Sequence, residues 1–265
     1  MSERCVGTSW AIYTLWIDGL RALKAWPRVL FAKLECLTNH SRIAKFRKKQ
    51  INGRASIMDK KQTEVASQRF ETSIWGAAKW LNEPSLYQTF SDHSLEVHTE
   101  FQTDFWRKTH YGFIRDSGHF LGFETSGGFT AQVRVNAHFH ELYDQAGIMV
   151  RLNEETWLKA GIEYNDGTPM ISSVLTQGTS DWAPSRFFGD PTDFWLRVTV
   201  SNGVLRLQYS TDGKTWPLLR LAPFPDVESY RVGPMCCTPK RQGLVVKFSE
   251  WFLSQPLGQD LHDLS

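Results

Sequence analysis

The stretch Thr156–Gly167 reads TWLKAGIEYNDG. It alternates with the period of two that marks a β-strand. Leu158, Ala160, Ile162 and Tyr164 share one face, an ordinary apolar core face. Trp157, Lys159, Gly161 and Glu163 share the other. That second face is unusual. A cation and a carboxylate stand four residues apart, with a glycine between them and a tryptophan at one end. Glycine weakens a strand interior, so its place there raises the question of what that face meets.

Neighbouring strands can be paired by face. Asp166-Gly167 signals a two-residue hairpin turn. It sets Glu163 opposite Met170, Gly161 opposite Ser172 and Lys159 opposite Val174. On the core face Ile162 meets Ile171 and Leu158 meets Leu175. In the preceding hairpin, a two-residue turn would place Leu152 against Trp157 and core residues against polar ones. A three-residue loop, Asn153–Glu155, instead pairs Arg151 with Trp157, Met149 with Lys159, Gly147 with Gly161 and Gln145 with Glu163. Ala146, Ile148 and Val150 then join the core. A one-residue slip inverts every side chain, so the three-residue loop is the predicted one.

The result is a row of small residues across three strands: Gly147, Gly161 and Ser172. Gln145, Met149, Arg151, Trp157, Lys159, Glu163 and Met170 stand around it. The run Phe129–Phe139 offers a similar polar face with Gln132, Arg134, Asn136 and His138. Together these predict the floor and walls of a trough. Small floor residues admit a ligand, and an aromatic beside hydrogen-bonding groups suits a flat polar one such as a sugar ring. The alternative is a solvated convex face whose glycines serve curvature or packing.

Further strands are read at about Leu95–Glu100, His119–Thr125, Gln145–Leu152, Pro169–Gln177, Asp193–Ser201, Val204–Ser210, Trp216–Leu221, Tyr230–Thr238 and Gly243–Leu253. Asn202-Gly203 and Asp212-Gly213 add turn signals between strand-like runs. Helical periodicity is confined to Pro27–Arg47. Many strands without helices predict an all-β domain, a two-sheet sandwich or a closed barrel.

The 265 residues suit one large all-β domain or two small ones. Charge is unevenly spread: residues 1–57 carry +8 and residues 58–265 carry −6, within a net +2. The expected organisation is a basic N-terminal extension, 1–57, partly helical or disordered, before one domain over 58–265. Met58 reads as an alternative start, and Asn39-His40-Ser41 is an isolated glycosylation sequon. The main domain is mildly acidic and lacks the basic footprint of nucleic-acid binding. No apolar run reaches the ~18–20 residues of a membrane span. Cys5, Cys36, Cys236 and Cys237 form no legible disulfide framework, which favours a reducing, cytoplasmic setting.

Several stretches carry a resemblance: TDFWRKTHYGFIRDSGHFL (Thr103–Leu121), Glu141–Trp182 with its DQAG…KAGIEY…SDW spacing, Phe194–Arg220 and VVKFSEWFL (Val245–Leu253). Through them the chain resembles the cytosolic concanavalin-A-like family of unknown function named for the yeast regulator of enolase. The resemblance covers about Ser73–Leu253 and implies a jelly-roll sandwich of two curved antiparallel sheets. In lectins and glucanases of this fold the concave sheet holds carbohydrate. It transfers architecture better than function.

Glycosidases need two carboxyl groups at defined separation. No Glu-x-Asp-x-Glu strand occurs; Glu163 is alone on its face, and Asp144, Glu141, Asp181 or Asp104 would have to reach it from loops. Trp106, Arg107 and His110 fall in an expected rim loop, DFWRKTHYG, and Trp182 in another, TSDWAPS. His138 and His140 share a strand face but lack an established metal-ligand pattern. No nucleophile elbow, phosphate loop or dinucleotide fingerprint is present, and no cofactor or metal is expected. The candidate ligand-binding residues are therefore Trp106, Gln132, Arg134, Gln145, Arg151, Trp157, Lys159, Glu163 and Trp182. The expected function is non-catalytic binding of a small sugar or polar metabolite on the concave sheet. The alternatives are a protein-interaction module that regulates a metabolic enzyme and a carbohydrate-active hydrolase.

Overall fold

The computed structural model describes residues 73–265. The expected basic extension, 1–57, with its helical periodicity, and the start at Met58 lie outside the described residues. Within them the only helical element is one 3-10 turn, Ile74–Ala77. Sixteen strands follow, all paired antiparallel. They are β1 (Lys79–Leu81), β2 (Leu86–Thr89), β3 (Leu95–His98), β4 (Phe105–Arg107), β5 (Ile114–Asp116), β6 (His119–Ser126), β7 (Phe129–Ala137) and β8 (Gln145–Arg151). Then come β9 (Thr156–Asn165), β10 (Thr168–Gln177), β11 (Thr179–Arg186), β12 (Asp193–Ser201), β13 (Val204–Ser210), β14 (Leu218–Pro223), β15 (Ser229–Cys237) and β16 (Val245–Ser254).

Two seven-stranded sheets hold most of them. The first runs β1-β6-β15-β8-β9-β10-β11, the second β14-β13-β12-β7-β16-β3-β2, and β4 with β5 forms a separate two-stranded ribbon. The architecture is a concanavalin-A-like jelly-roll sandwich.

The predicted registers are the observed ones. Gln145 faces Glu163, Gly147 faces Gly161, Met149 faces Lys159 and Arg151 faces Trp157. Glu163 faces Met170, Gly161 faces Ser172 and Lys159 faces Val174. The β8–β9 loop closes with the Leu152 N–H donating to the Thr156 carbonyl at 3.0 Å, leaving Asn153–Glu155 between. At Asp166-Gly167 both residues have positive φ, 51° and 78°, as the tight hairpin turn requires. The Asp212-Gly213 segment differs. The Asp212 carboxylate accepts from the amides of Lys214 and Thr215, which builds a longer loop and delays β14 to Leu218.

The core lies between the sheets. Ile148, Leu158 and Ile162 of the first sheet belong to one buried cluster with Val133, Leu196, Leu207 and Phe248 of the second. A second, smaller cluster occupies the other face of the first sheet. There Phe105 and Trp106 of the ribbon join Phe120, Met149, Trp157, Val174, Met235 and Cys237. The first sheet is thus buried on both faces, which is why every residue of β8 and nearly all of β9 are buried.

Three expectations need correction. The DFWRKTHYG segment is not a loop throughout, because Phe105–Arg107 pairs with Ile114–Asp116. Nor is TSDWAPS a loop: it is part of edge strand β11, where Pro184 is tolerated because one side of the strand needs no partner. Finally, β7 belongs to the second sheet, paired with β12 and β16, and adds nothing to the face that carries Lys159 and Glu163.

Candidate functional site

Between the first sheet and the ribbon lies a half-open cavity of about 740 Å³. Its floor comes from β8, β9 and β10. Because Gln145, Lys159 and Glu163 alternate onto one face, they meet there, with Ser172 and Val174 from β10 beside them. Gly147 and Gly161 lie beneath. A Cβ on either would strike the carbonyl oxygen of the facing strand, Ala160 or Ala146 respectively. The glycines therefore serve the close approach of β8 and β9. The layer a ligand would meet is the polar one above them.

That layer is a hydrogen-bonded network. Lys159 Nζ donates to Gln145 Oε1 at 2.6 Å and lies 3.2 Å from Asp104 Oδ1. Asp104 immediately precedes β4, and its Oδ1 also accepts from the Phe105 amide at 2.8 Å and from Gln145 Nε2 at 3.4 Å. Across the floor, Glu163 Oε2 accepts from Ser172 Oγ at 3.0 Å and from Trp182 Nε1 at 3.2 Å. The second oxygen of each carboxylate, Asp104 Oδ2 and Glu163 Oε1, takes part in none of these bonds, and both residues line the cavity.

Burial and charge act against each other here. For Lys159, burial favours the neutral amine, yet the neighbouring Asp104 and Glu163 outweigh it and hold the ammonium above its ordinary range. Glu163 is pushed up, first by burial and further by the charge of Asp104, against the opposing pull of Lys159, Ser172 and Trp182. The floor thus couples an ammonium to two carboxyl groups. Such a set can donate to and accept from a polyhydroxylated ligand.

The walls are aromatic. Trp106 and Trp182 stand edge to face with centroids 6.4 Å apart, and Trp106 meets Tyr111 in the same manner at 5.7 Å. Tyr111 stacks on Phe113 at 5.2 Å. Tyr143 completes the wall; its hydroxyl lies 3.1 Å from that of Tyr111, and this bond with burial pushes its pKa up to about 12. Lys108 and His110, in the turn that presents Tyr111, hold positive φ of 63° and 61°. Residues other than glycine rarely do so, and such backbone clusters at ligand sites.

Of the sequence-derived candidates, Trp106, Gln145, Lys159, Glu163 and Trp182 meet at this cavity. Arg151 and Trp157 share their face but are held behind it. Arg151 makes two 2.8 Å bonds to Asp116, and Trp157 is sealed against Phe105 with centroids 6.1 Å apart. Gln132 and Arg134 lie on the second sheet's outer face: Gln132 accepts from Arg197, while Arg134 pairs with Asp193 and Glu250 and lies over Trp195. The carboxylates considered as partners for Glu163 also separate. Asp144 is bound by Arg241, Asp181 by Arg220, and Glu141 is exposed outside the cavity, leaving Asp104 as the one of the four that shares it. Periodicity could not single out Asp104, Tyr111 or Tyr143, since all three lie in connections between strands.

A family model described as a protein of unknown function, DUF1349, matches residues 80–256. Regulation of enolase protein 1 from Saccharomyces cerevisiae is 62% identical over 187 residues, covering 70% of this chain and 93% of that protein. The crystal structure of a functionally unknown protein from S. cerevisiae superposes with a TM-score of 0.68 at 58% identity, covering 69% of this chain and 99% of that one. The GH43 BlXynB protein from Bacillus licheniformis superposes at 0.52 with 14% identity, over 67% of this chain and 36% of that one. The last likeness is one of fold alone. Among the described residues no helix is long and apolar enough to cross a membrane.

Proposed function

The chain belongs to the DUF1349 family of proteins of unknown function, and we propose that its sandwich binds a small polyhydroxylated ligand, sugar-like in chemistry, in the cavity over the first sheet. One observation carries the reading. Asp104 and Glu163 each keep a carboxylate oxygen outside the internal network while lining an aromatic-walled cavity of about 740 Å³. Hydroxyl groups would donate to those oxygens, and the C–H face of a ring would lie on Trp106, Trp182 or Tyr111. A cavity of this size and mixed lining suits a small ligand.

The test is a thermal-unfolding screen of the full chain against neutral sugars and sugar acids, repeated with Glu163→Gln. A ligand at 100 times its Kd stabilises by about 2.7 kcal/mol. For a domain of this size that raises Tm by about 5–10 °C. A rise lost in the variant supports the reading, and no rise with any sugar rejects it. Incubation of a binding sugar with the protein and analysis of products separates binding from hydrolysis, for which Asp104 and Glu163 would be the acid pair.

The second reading is regulatory: a protein-interaction module acting on a metabolic enzyme in the cytoplasm. The name of the yeast relative favours it, and more directly than it favours a sugar. Co-sedimentation with purified enolase tests it. A stable complex supports regulation by contact, and the two readings join if a sugar alters that complex.

A further inference from the structure

Charge is distributed along the depth of the cavity in an ordered way. The floor holds Lys159 between two carboxyl groups, Asp104 and Glu163, and so offers uncommitted acceptors. The mouth holds Arg115 and Lys240, both exposed, while the carboxylate there, Asp116, is already bound by both terminal nitrogens of Arg151. Among the described residues neither Arg115 nor Lys240 forms an ion pair. Arg115 instead lies over the Phe113 ring, its guanidinium carbon 4.8 Å from the centroid. Stacking orients a guanidinium and leaves its donor edge available.

Resting on the cavity-binding reading above, we propose that the ligand is an anionic sugar, with its hydroxyl-bearing ring against Asp104 and Glu163 and a phosphate or carboxylate group at the mouth toward Arg115 and Lys240. The orientation follows from like and unlike charge. An anion at the floor would face two carboxyl groups, whereas at the mouth it meets two cations free of competing acids. Charge-assisted bonds from Arg and Lys to an oxyanion are among the stronger polar contacts. The aromatic wall between floor and mouth fits the ring that joins the two ends.

Titration calorimetry on the full chain at low salt decides the matter. Glucose, galactose and fructose are each compared with their 6-phosphates, with glucuronate as the carboxylate arm and inorganic phosphate as the anion alone. At least one phosphate ester or glucuronate is expected to bind about tenfold or more tightly than its neutral sugar, and also than inorganic phosphate. In Arg115→Ala/Lys240→Ala that preference falls to about threefold or less, and raised salt diminishes it in the unaltered protein. The unfolding midpoint of the double variant verifies its fold. Equal binding of neutral and anionic sugars, or a preference that survives the double substitution, overturns the inference while leaving the cavity-binding reading intact. Inorganic phosphate binding as tightly as any ester overturns it too, since the ring would contribute nothing. No binding by any probe rejects both.

Discussion

Lys159 Nζ lies 3.2 Å from Asp104 Oδ1, and this contact ties the middle of the first sheet to the start of the ribbon that covers it. The two residues are 55 positions apart in the chain. Both side chains are largely withdrawn from water, so each depends on the other for its charge to be tolerated. Removing one partner of a buried pair costs about 3–5 kcal/mol, whereas replacing both by apolar groups is often nearly neutral. Lys159→Met should therefore lower unfolding stability by about that amount, and Lys159→Met/Asp104→Leu should regain much of it. Urea unfolding of both variants checks this; additive losses would show that the pair is not coupled.

Glu163 gives a pH signature of defined sign. Its carboxyl is raised above the ordinary 4.5 in the folded chain, mainly by burial. In the window above 4.5 the folded state then holds a proton that the unfolded state has released. Stability contributed by this group is present below 4.5 and is lost as pH rises through the folded value. Glu163→Gln removes that loss and keeps an oxygen to accept from Ser172 and Trp182. Relative to the unaltered protein, the variant should gain stability as pH rises above 4.5 and level off once pH exceeds the folded value. A difference flat in pH would mean that burial does not perturb this carboxyl.

The facing glycines predict a packing effect of a different kind. A methyl group at Gly161 meets the Ala146 carbonyl, and one at Gly147 meets that of Ala160. Backbone cannot swing aside as a side chain can, so β8 and β9 must part. Gly161→Ala should cost at least about 1–3 kcal/mol, the range for overpacking. Once the strands have parted, a second alanine at Gly147 should cost less than it does alone, because neighbouring sites are not additive. Unfolding of the two single variants and the double variant checks both parts.

The registers of β8, β9 and β10 were legible because side-chain period and turn length each exclude a one-residue slip. Lys159, Glu163 and Gln145 followed from that alone, being bound to one face by their spacing. What alternation cannot say is which sheet a strand joins. Gln132 and Arg134 share a face with each other, yet β7 crosses to the second sheet before β8 returns to the first. Edge strand β11 is not legible in the sequence because it is short of apolar residues and contains Pro184, and β4 and β5 are not because three residues carry no period. Asp104 was only one of several acids able to reach Glu163, since its place depends on a ribbon folding back over the sheet.

That difference between sheets yields the last prediction. Arg134 is committed to Asp193 and Glu250 on the second sheet's outer face, away from the cavity that Lys159 lines. Arg134→Ala should lower stability modestly, since partly exposed ion pairs contribute up to about 1 kcal/mol. It should leave the affinity for any ligand of the cavity within about twofold of the unaltered value, because sites without shared partners behave independently. Glu163→Gln, by contrast, alters an acceptor in the cavity floor and should weaken that ligand about tenfold or more, the scale of a lost charge-assisted bond. Calorimetry with both variants on the sugar that binds best reads the contrast. If Arg134→Ala weakens binding about tenfold while Glu163→Gln leaves it unchanged, the ligand lies on the outer face of the second sheet and the cavity is not its site.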